Sequence, residues 1–136
     1  MSRAAFSLWV FSIYLWALGL LLIFDPNLLR IVGIPESHEV WIRVVGLLVV
    51  IIGCVDFVAA REELLPILRG SVPIRLLVLV VFAAFVILRL APPALLLFGL
   101  VDAAGALWTG ICLRLDAAAE RSVQDRQPEQ LRARQP

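Results

Sequence analysis

Four long apolar runs constrain the fold of this chain more than any other feature. They cover approximately residues 6–24, 40–60, 72–90 and 93–113. Each is close to the roughly 20 residues that an α-helix needs to cross a hydrocarbon core about 30 Å thick. Because lipid offers no hydrogen-bond partner to an open backbone, such runs must be helical. The sequence therefore predicts an all-α, polytopic membrane four-helix bundle, built from two antiparallel transmembrane hairpins.

Composition supports a chain that faces lipid. Of the 136 residues, 62% are hydrophobic and 17% are charged, whereas a soluble domain is about half apolar and about a quarter charged. All 12 basic residues are arginine, and 11 acidic residues bring the net charge to +1. A basic patch that could bind nucleic acid is therefore missing. We predict membrane lipid as the surroundings and no nucleic-acid partner.

Helix-breaking and polar residues divide the chain between the runs. Asp25 and Pro26 end the first run, a polar segment with several prolines follows Arg61, and Pro92-Pro93 makes the third loop short. The first run is too long for a signal-peptide core and no small-residue cleavage site follows it, so we expect it to be retained as a helix. The pattern predicts a transmembrane domain over 1–115 and a polar cytoplasmic tail over 116–136, which can begin as an extension of the last helix and is then disordered.

The distribution of arginine predicts the orientation. Nine arginines belong to one side of the predicted membrane and three to the other. The nine are Arg3, Arg61, Arg69, Arg75, Arg114, Arg121, Arg126, Arg132 and Arg134, and the three are Arg30, Arg43 and Arg89. Because the cytoplasmic side carries the excess of basic residues in short loops, this bias predicts that both termini are cytoplasmic.

Five charged residues lie within or at the edges of the apolar runs: Arg43, Asp56, Arg75, Arg89 and Asp102. Asp102 is near the middle of the fourth run, where a charge costs about 2.5–3.5 kcal/mol, so it is a candidate functional residue with a partner. Predicted depths allow an Arg43–Asp102 pair and an Asp56–Arg75 pair, with Arg89 as a competitor for Asp102. Such pairs can also serve only to fix helix register, which is the interpretation we favour.

Arg75 and Arg89 make the third run unusual. Only the residues from Leu76 to Leu88 separate them, which is about 20 Å of helix at 1.5 Å per residue and shorter than a bilayer core of about 30 Å. Their spacing places both on nearly the same face of a helix. The two side chains either extend to the nearest interface or face the bundle and pair.

Small residues form stripes on the second and fourth runs. At helical spacing the fourth run places Gly99, Asp102, Ala103, Ala106, Thr109 and Gly110 on one face, and the second places Arg43, Gly46, Val50, Gly53 and Phe57 on another. Small residues let membrane helices approach closely. We therefore predict that the second and fourth helices pack together and that Asp102 points into the bundle.

The residues that most active sites need are missing. His38 is the sole histidine, and Cys54 and Cys112 belong to no metal-binding or redox motif. Neither a Ser/His/Asp set nor a phosphate-binding glycine loop can be assembled. We expect no metal, no cofactor and no enzymatic activity.

One resemblance adds to this reading. Asp25-Pro26, Gly33-Ile34-Pro35 and the segment from Trp41 to Gly46 resemble the DoxX-like and BphX-like families and related small four-helix bacterial membrane proteins of unknown function. The resemblance extends to about Arg114. It implies a four-helix bundle in the bacterial inner membrane, and it implies no reaction.

Three functions therefore remain open. The first is a non-enzymatic accessory or scaffold subunit that packs with itself or with a membrane-protein partner. The second is a small proton-coupled transporter that uses the Asp and Arg pairs. The third is a lipid- or quinone-binding accessory subunit in which Trp16 and Trp108 line an apolar groove and an arginine lies near the headgroup.

Overall fold

The computed structural model describes residues 1–25, 27, 29 and 39–133, which form helices and, over those residues, no strand. The helices are α1 (Arg3–Phe24), α2 (Glu39–Arg61), α3 (Leu65–Ile87) and α4 (Leu95–Ala133). All four are long and apolar enough to cross a membrane. The predicted all-α four-helix bundle is confirmed. Pro26 and residues 33–35, which contribute to the family resemblance, lie outside the described part.

The start of α1 is held by two side chains. The hydroxyl of Ser2 accepts a hydrogen bond from the backbone N–H of Ala5 at 3.1 Å. The carboxylate of Asp116, on α4, accepts one from the N–H of Ala4 at 3.0 Å. The first N–H groups of a helix have no partner within it, so these two acceptors satisfy donors that would otherwise be unpaired. The second of them also joins α4 to α1.

The third helix is longer than the sequence predicted. It begins at Leu65 and has 23 residues, about 34 Å at 1.5 Å per residue. Pro66 occupies the first turn, where its missing N–H does no harm. Pro73 lies inside the helix, which is tolerated in membrane helices because neighbouring groups satisfy the freed carbonyl.

Arg89 lies beyond the end of α3, in a turn with a left-handed backbone (φ 57°). Its side chain is exposed. The prediction that Arg75 and Arg89 share one helical face is therefore wrong, because the helix ends before Arg89.

The fourth helix also exceeds its predicted length. It continues through Ala133, so the helical extension expected at the start of the 116–136 tail occupies most of it. Residues 116–133 are rich in alanine, glutamate, glutamine and arginine, which favour helices. Extending a helix that already exists requires no new nucleation, so a polar segment can remain helical.

Packing follows chain order around the bundle. α1 packs along α2, α3 packs along α4, and α1 also packs against α4, whereas α2 and α4 do not touch within the described residues. The two antiparallel hairpins are as predicted. The predicted packing of α2 on α4 is wrong because the small residues of α2 face α1: a Cβ added at Gly46 would lie 2.7 Å from the backbone oxygen of Gly19.

The small-residue stripe of α4 faces inward, as predicted. Ala103, Ala106 and Thr109 are buried, and Gly99 packs against Leu79 of α3. Thr109 accepts a hydrogen bond from the Ser7 hydroxyl of α1 at 3.0 Å. A closed apolar core lies nearby, in the half of the bundle that contains the start of α1. Its buried members are Ala4, Ala5, Leu8, Ala59, Ala60, Leu68 and Cys112.

Candidate functional site

The guanidinium of Arg75 lies at the centre of the bundle and contacts the other three helices. Its Nη2 donates to Oδ2 of Asp56, on α2, at 2.9 Å. Its Cζ lies 3.6 Å from the ring centroid of Phe11, on α1. On α4, a Cβ added at Gly105 would be 3.4 Å from its Nη1. One arginine thus links the elements of the bundle.

The Asp56–Arg75 pair is deeply buried, with 8% of Asp56 and 6% of Arg75 exposed. The sequence placed these two residues at similar depth, and the structure brings them together. Nη1 of Arg75 is buried and makes no hydrogen bond to the described residues. The guanidinium therefore uses only some of its N–H donors, which is unusual because buried donors are normally paired.

Asp102 lies on α4 one turn before Gly105 and is half-buried. It interacts electrostatically with Arg75, Asp56 and Tyr14. No ion pair or hydrogen bond joins it to another residue of the described segments. The predicted Arg43–Asp102 pair does not form, because Arg43 lies exposed on α2 and α2 does not pack against α4. Arg89 does not pair with Asp102 in place of Arg43, because Arg89 lies beyond the end of α3 and is exposed.

A cavity of about 330 Å³ begins at Asp102 and extends away from the Asp56–Arg75 pair. Small-molecule sites in proteins have volumes of about 300–1,000 Å³, so this volume is large enough for a ligand. We call it the intramembrane pocket. All four helices contribute to it, and Leu29, which follows α1, also lines it. The residues from the helices are Tyr14, Leu15, Leu18, Leu22, Trp41, Ile42, Val45, Val49, Phe82, Leu95, Phe98 and Asp102.

Two polar groups face this apolar lining. They are the carboxylate of Asp102 and the hydroxyl of Tyr14, which is the sole tyrosine of the chain. Neither makes a hydrogen bond to any residue that the structure describes. Both side chains are half-buried, so their polar atoms remain accessible to a molecule in the pocket. A carboxylate and a phenol at the floor of an apolar pocket are therefore suited to bind the polar end of a ligand.

The intramembrane pocket is accessible from the side of the bundle. Trp41 and Val45 line it on α2 and are 66% and 50% exposed. α2 and α3 approach each other only slightly, so the lining is not sealed between them. In a membrane, a hydrocarbon chain could enter from the lipid without passing through water.

The two tryptophans that the sequence suggested for a groove lie elsewhere. Trp16 packs against Phe57 with ring centroids 4.9 Å apart, between α1 and α2, and its buried indole N–H has no hydrogen-bond partner among the described groups. Trp108 is 46% exposed. Neither residue lines the intramembrane pocket, so a ligand there would not contact them.

The sequence analysis missed Tyr14, Phe11 and Gly105. Tyr14 carried a usable signal, as a single tyrosine in the middle of an apolar run. Phe11 carried none, because α1 is apolar all round and offers no preferred face. Gly105 lies outside the small-residue face predicted for the fourth run. Phe11 and Gly105 matter because they lie next to the guanidinium of Arg75, and the position of that group cannot be derived from the sequence.

Comparison with known proteins finds no family model, no curated protein and no solved structure that matches this chain.

Proposed function

We propose that this multi-pass membrane protein is a non-enzymatic accessory protein that binds one amphipathic membrane molecule, of the lipid or quinone class, in the intramembrane pocket. The observation that carries the proposal is the cavity of about 330 Å³ whose apolar lining ends at Asp102 and Tyr14. An apolar chain fits the lining, and a polar end fits the floor.

A bound chain would also stabilise the bundle. Atoms that line an empty cavity lack van der Waals partners on one side. Phe82 and Phe98 present large apolar surfaces to the intramembrane pocket, and a hydrocarbon chain would supply the missing contacts. The ligand therefore acts as part of the core in this half of the bundle.

Binding accounts for the geometry better than transport. A transporter needs a path on both sides of its site, and the opposite half of the bundle is closed by the apolar core. Leu8 and Ala59 there are 0% exposed, and Leu68 is 2% exposed. The pocket thus ends at the buried charges, which favours holding a ligand over moving one.

The test is to purify the protein in mild detergent, extract it with solvent and identify retained lipids and quinones by mass spectrometry. We expect one class to be enriched at close to one molecule per chain. Val49→Trp should abolish this enrichment, because Val49 lines the intramembrane pocket. Val55→Trp is the matched control, since Val55 lies on an exposed face of α2. No enrichment over the surrounding membrane, or equal loss in both variants, would contradict the proposal.

We further infer that the protein resides in the bacterial inner membrane with both termini in the cytoplasm. The arginine bias supports this orientation, and the resemblance to DoxX-like and BphX-like proteins supports the location. In this orientation the intramembrane pocket lies in the outer half of the bilayer. Association with a membrane-protein partner or with a second copy is compatible with it.

A further inference from the structure

We propose that the polar end of the bound molecule is an uncharged hydroxyl, held at the floor of the intramembrane pocket by Asp102 and Tyr14. This rests on the proposed function and names the chemical class of its ligand. The hydroxyl belongs to a quinol or to a long-chain or isoprenoid alcohol, whose apolar part lies along Phe98 and Leu95 towards Trp41.

Hydrogen-bonding capacity favours a hydroxyl. A carboxylate accepts hydrogen bonds, and a phenol both donates and accepts. A ligand hydroxyl can donate to Asp102 and accept from Tyr14 at the same time. An ether or ester has no donor and would leave a carboxylate oxygen without a partner, which is unfavourable in an apolar site.

Charge disfavours ionised ligands. Tyr14 on α1 and Asp102 on α4 line the pocket, and Asp56 on α2 and Arg75 on α3 are close enough to Asp102 to interact with it electrostatically. An anionic headgroup would meet the like charge of Asp102, and Arg75 is already bound to Asp56 at 2.9 Å and covered by Phe11. A cationic headgroup could pair with Asp102, but it would have to lose its hydration to reach the floor. An uncharged hydroxyl avoids both the repulsion by Asp102 and this loss of hydration.

Depth points the same way. Asp102 lies seven residues after the start of α4 at Leu95, about 10 Å inside the helix at 1.5 Å per residue. A charged headgroup loses its hydration at such a depth, and burying a charge is far more unfavourable than burying a hydrogen-bonded hydroxyl. Phosphate-bearing lipids are therefore excluded as ligands whose head reaches the floor.

The experiment compares four photoreactive probes of one chain length, each with a diazirine in the chain. Their ends are an alcohol, a methyl ether, a carboxylic acid and a primary amine. We expect the alcohol to label pocket-lining peptides about tenfold more strongly than the other three, the ratio expected from about 1.4 kcal/mol of hydrogen-bond energy. Competition by a naphthoquinol or by an isoprenoid alcohol then distinguishes the two natural sources.

Two variants test the residues. Asp102→Leu and Tyr14→Phe should each reduce the preference for alcohol over ether while the ether still labels the pocket, which also shows that the variant is folded. Glu120→Gln, a carboxylate removed from an exposed position on α4, should keep the full preference. If the acid or amine labels best, or alcohol and ether label equally, the hydroxyl proposal is overturned and binding stands. If no probe labels the pocket, both proposals fail.

Discussion

The side chain of Arg75, on α3, contacts residues of the other three helices. Its ion pair with Asp56, its position over Phe11 and its proximity to Gly105 come from three different elements. A buried guanidinium suits this role because it stays charged and is more weakly hydrated than an ammonium group. The register of α3 against the rest of the bundle therefore depends on this residue.

Removing one partner of the pair should destabilise the protein strongly. Arg75→Met leaves Asp56 as an uncompensated buried charge, and we expect a loss of about 3 kcal/mol in the free energy of unfolding. Asp56→Leu should cost a similar amount. The double variant should cost much less than the sum, because neither charge remains unpaired. Unfolding in mixed micelles of mild detergent and dodecyl sulfate measures all three.

Arg69→Met is the matched control for this series. Arg69 lies on the same helix and is exposed, so its replacement should change the free energy of unfolding by less than about 0.5 kcal/mol. Additive losses in the double variant would show that the pair makes no net contribution as a unit.

At this scale the sequence predicted one pair and missed the surroundings of the other acid. Asp56 and Arg75 could be paired because they flank a short loop and so lie at similar depth. Asp102 was assigned to Arg43 because depth along a helix can be read from the sequence, whereas which helices are neighbours cannot. The other polar residue that lines the intramembrane pocket with Asp102 is Tyr14, on a helix whose uniform apolarity concealed its inward face.

Close approach between helices is the main feature at the scale of elements. Gly19 and Gly46 bring α1 and α2 together so closely that a Cβ on either would lie 2.7 Å from the backbone oxygen of the other. Backbone atoms cannot move aside as a flexible side chain can. Small residues at such positions allow membrane helices to associate through van der Waals contact, since lipid provides no hydrophobic drive between them.

Gly46→Ala should therefore weaken the α1–α2 hairpin by about 1–3 kcal/mol, the usual range for overpacking. Gly70→Ala on α3 is the comparison, because a Cβ there meets nothing within 4 Å. That change should be neutral or stabilising by up to about 1 kcal/mol, through helix propensity alone. Unfolding in mixed micelles of mild detergent and dodecyl sulfate measures the change in the free energy of unfolding for both substitutions. Equal effects of the two substitutions would argue against close packing at Gly46.

The sequence predicted the extents of α1 and α2 well and those of α3 and α4 poorly, for a common reason. Asp25 and the polar loop after Arg61 do end helices, so α1 and α2 have nearly the expected bounds. Pro66 belongs to the polar segment that was expected to precede the third run, yet it lies in the first turn of α3, and Pro73 is tolerated inside the helix. The change to polar residues after residue 116 does not coincide with the end of α4.

The whole molecule has two unlike halves on either side of the Asp56–Arg75 pair. The half with the start of α1 is closed by the apolar core, and the other half contains the intramembrane pocket. The sequence could not predict this asymmetry, because each apolar run continues through both halves without a break. It arises from which side chains meet at each level: alanines fill the closed half, whereas branched and aromatic residues surround the pocket.

Orientation decides which side of the membrane the pocket half faces. Asn27 and Gln124 are exposed and lie near opposite ends of the bundle, so single cysteines there report the two sides. Cys54→Ala and Cys112→Ala provide the background. With a membrane-impermeant maleimide added to spheroplasts, Asn27→Cys should react at once and Gln124→Cys only after the membrane is opened. The reverse pattern would place the pocket half on the cytoplasmic side, so that ligands would enter from the inner leaflet and the arginine bias would not determine the orientation.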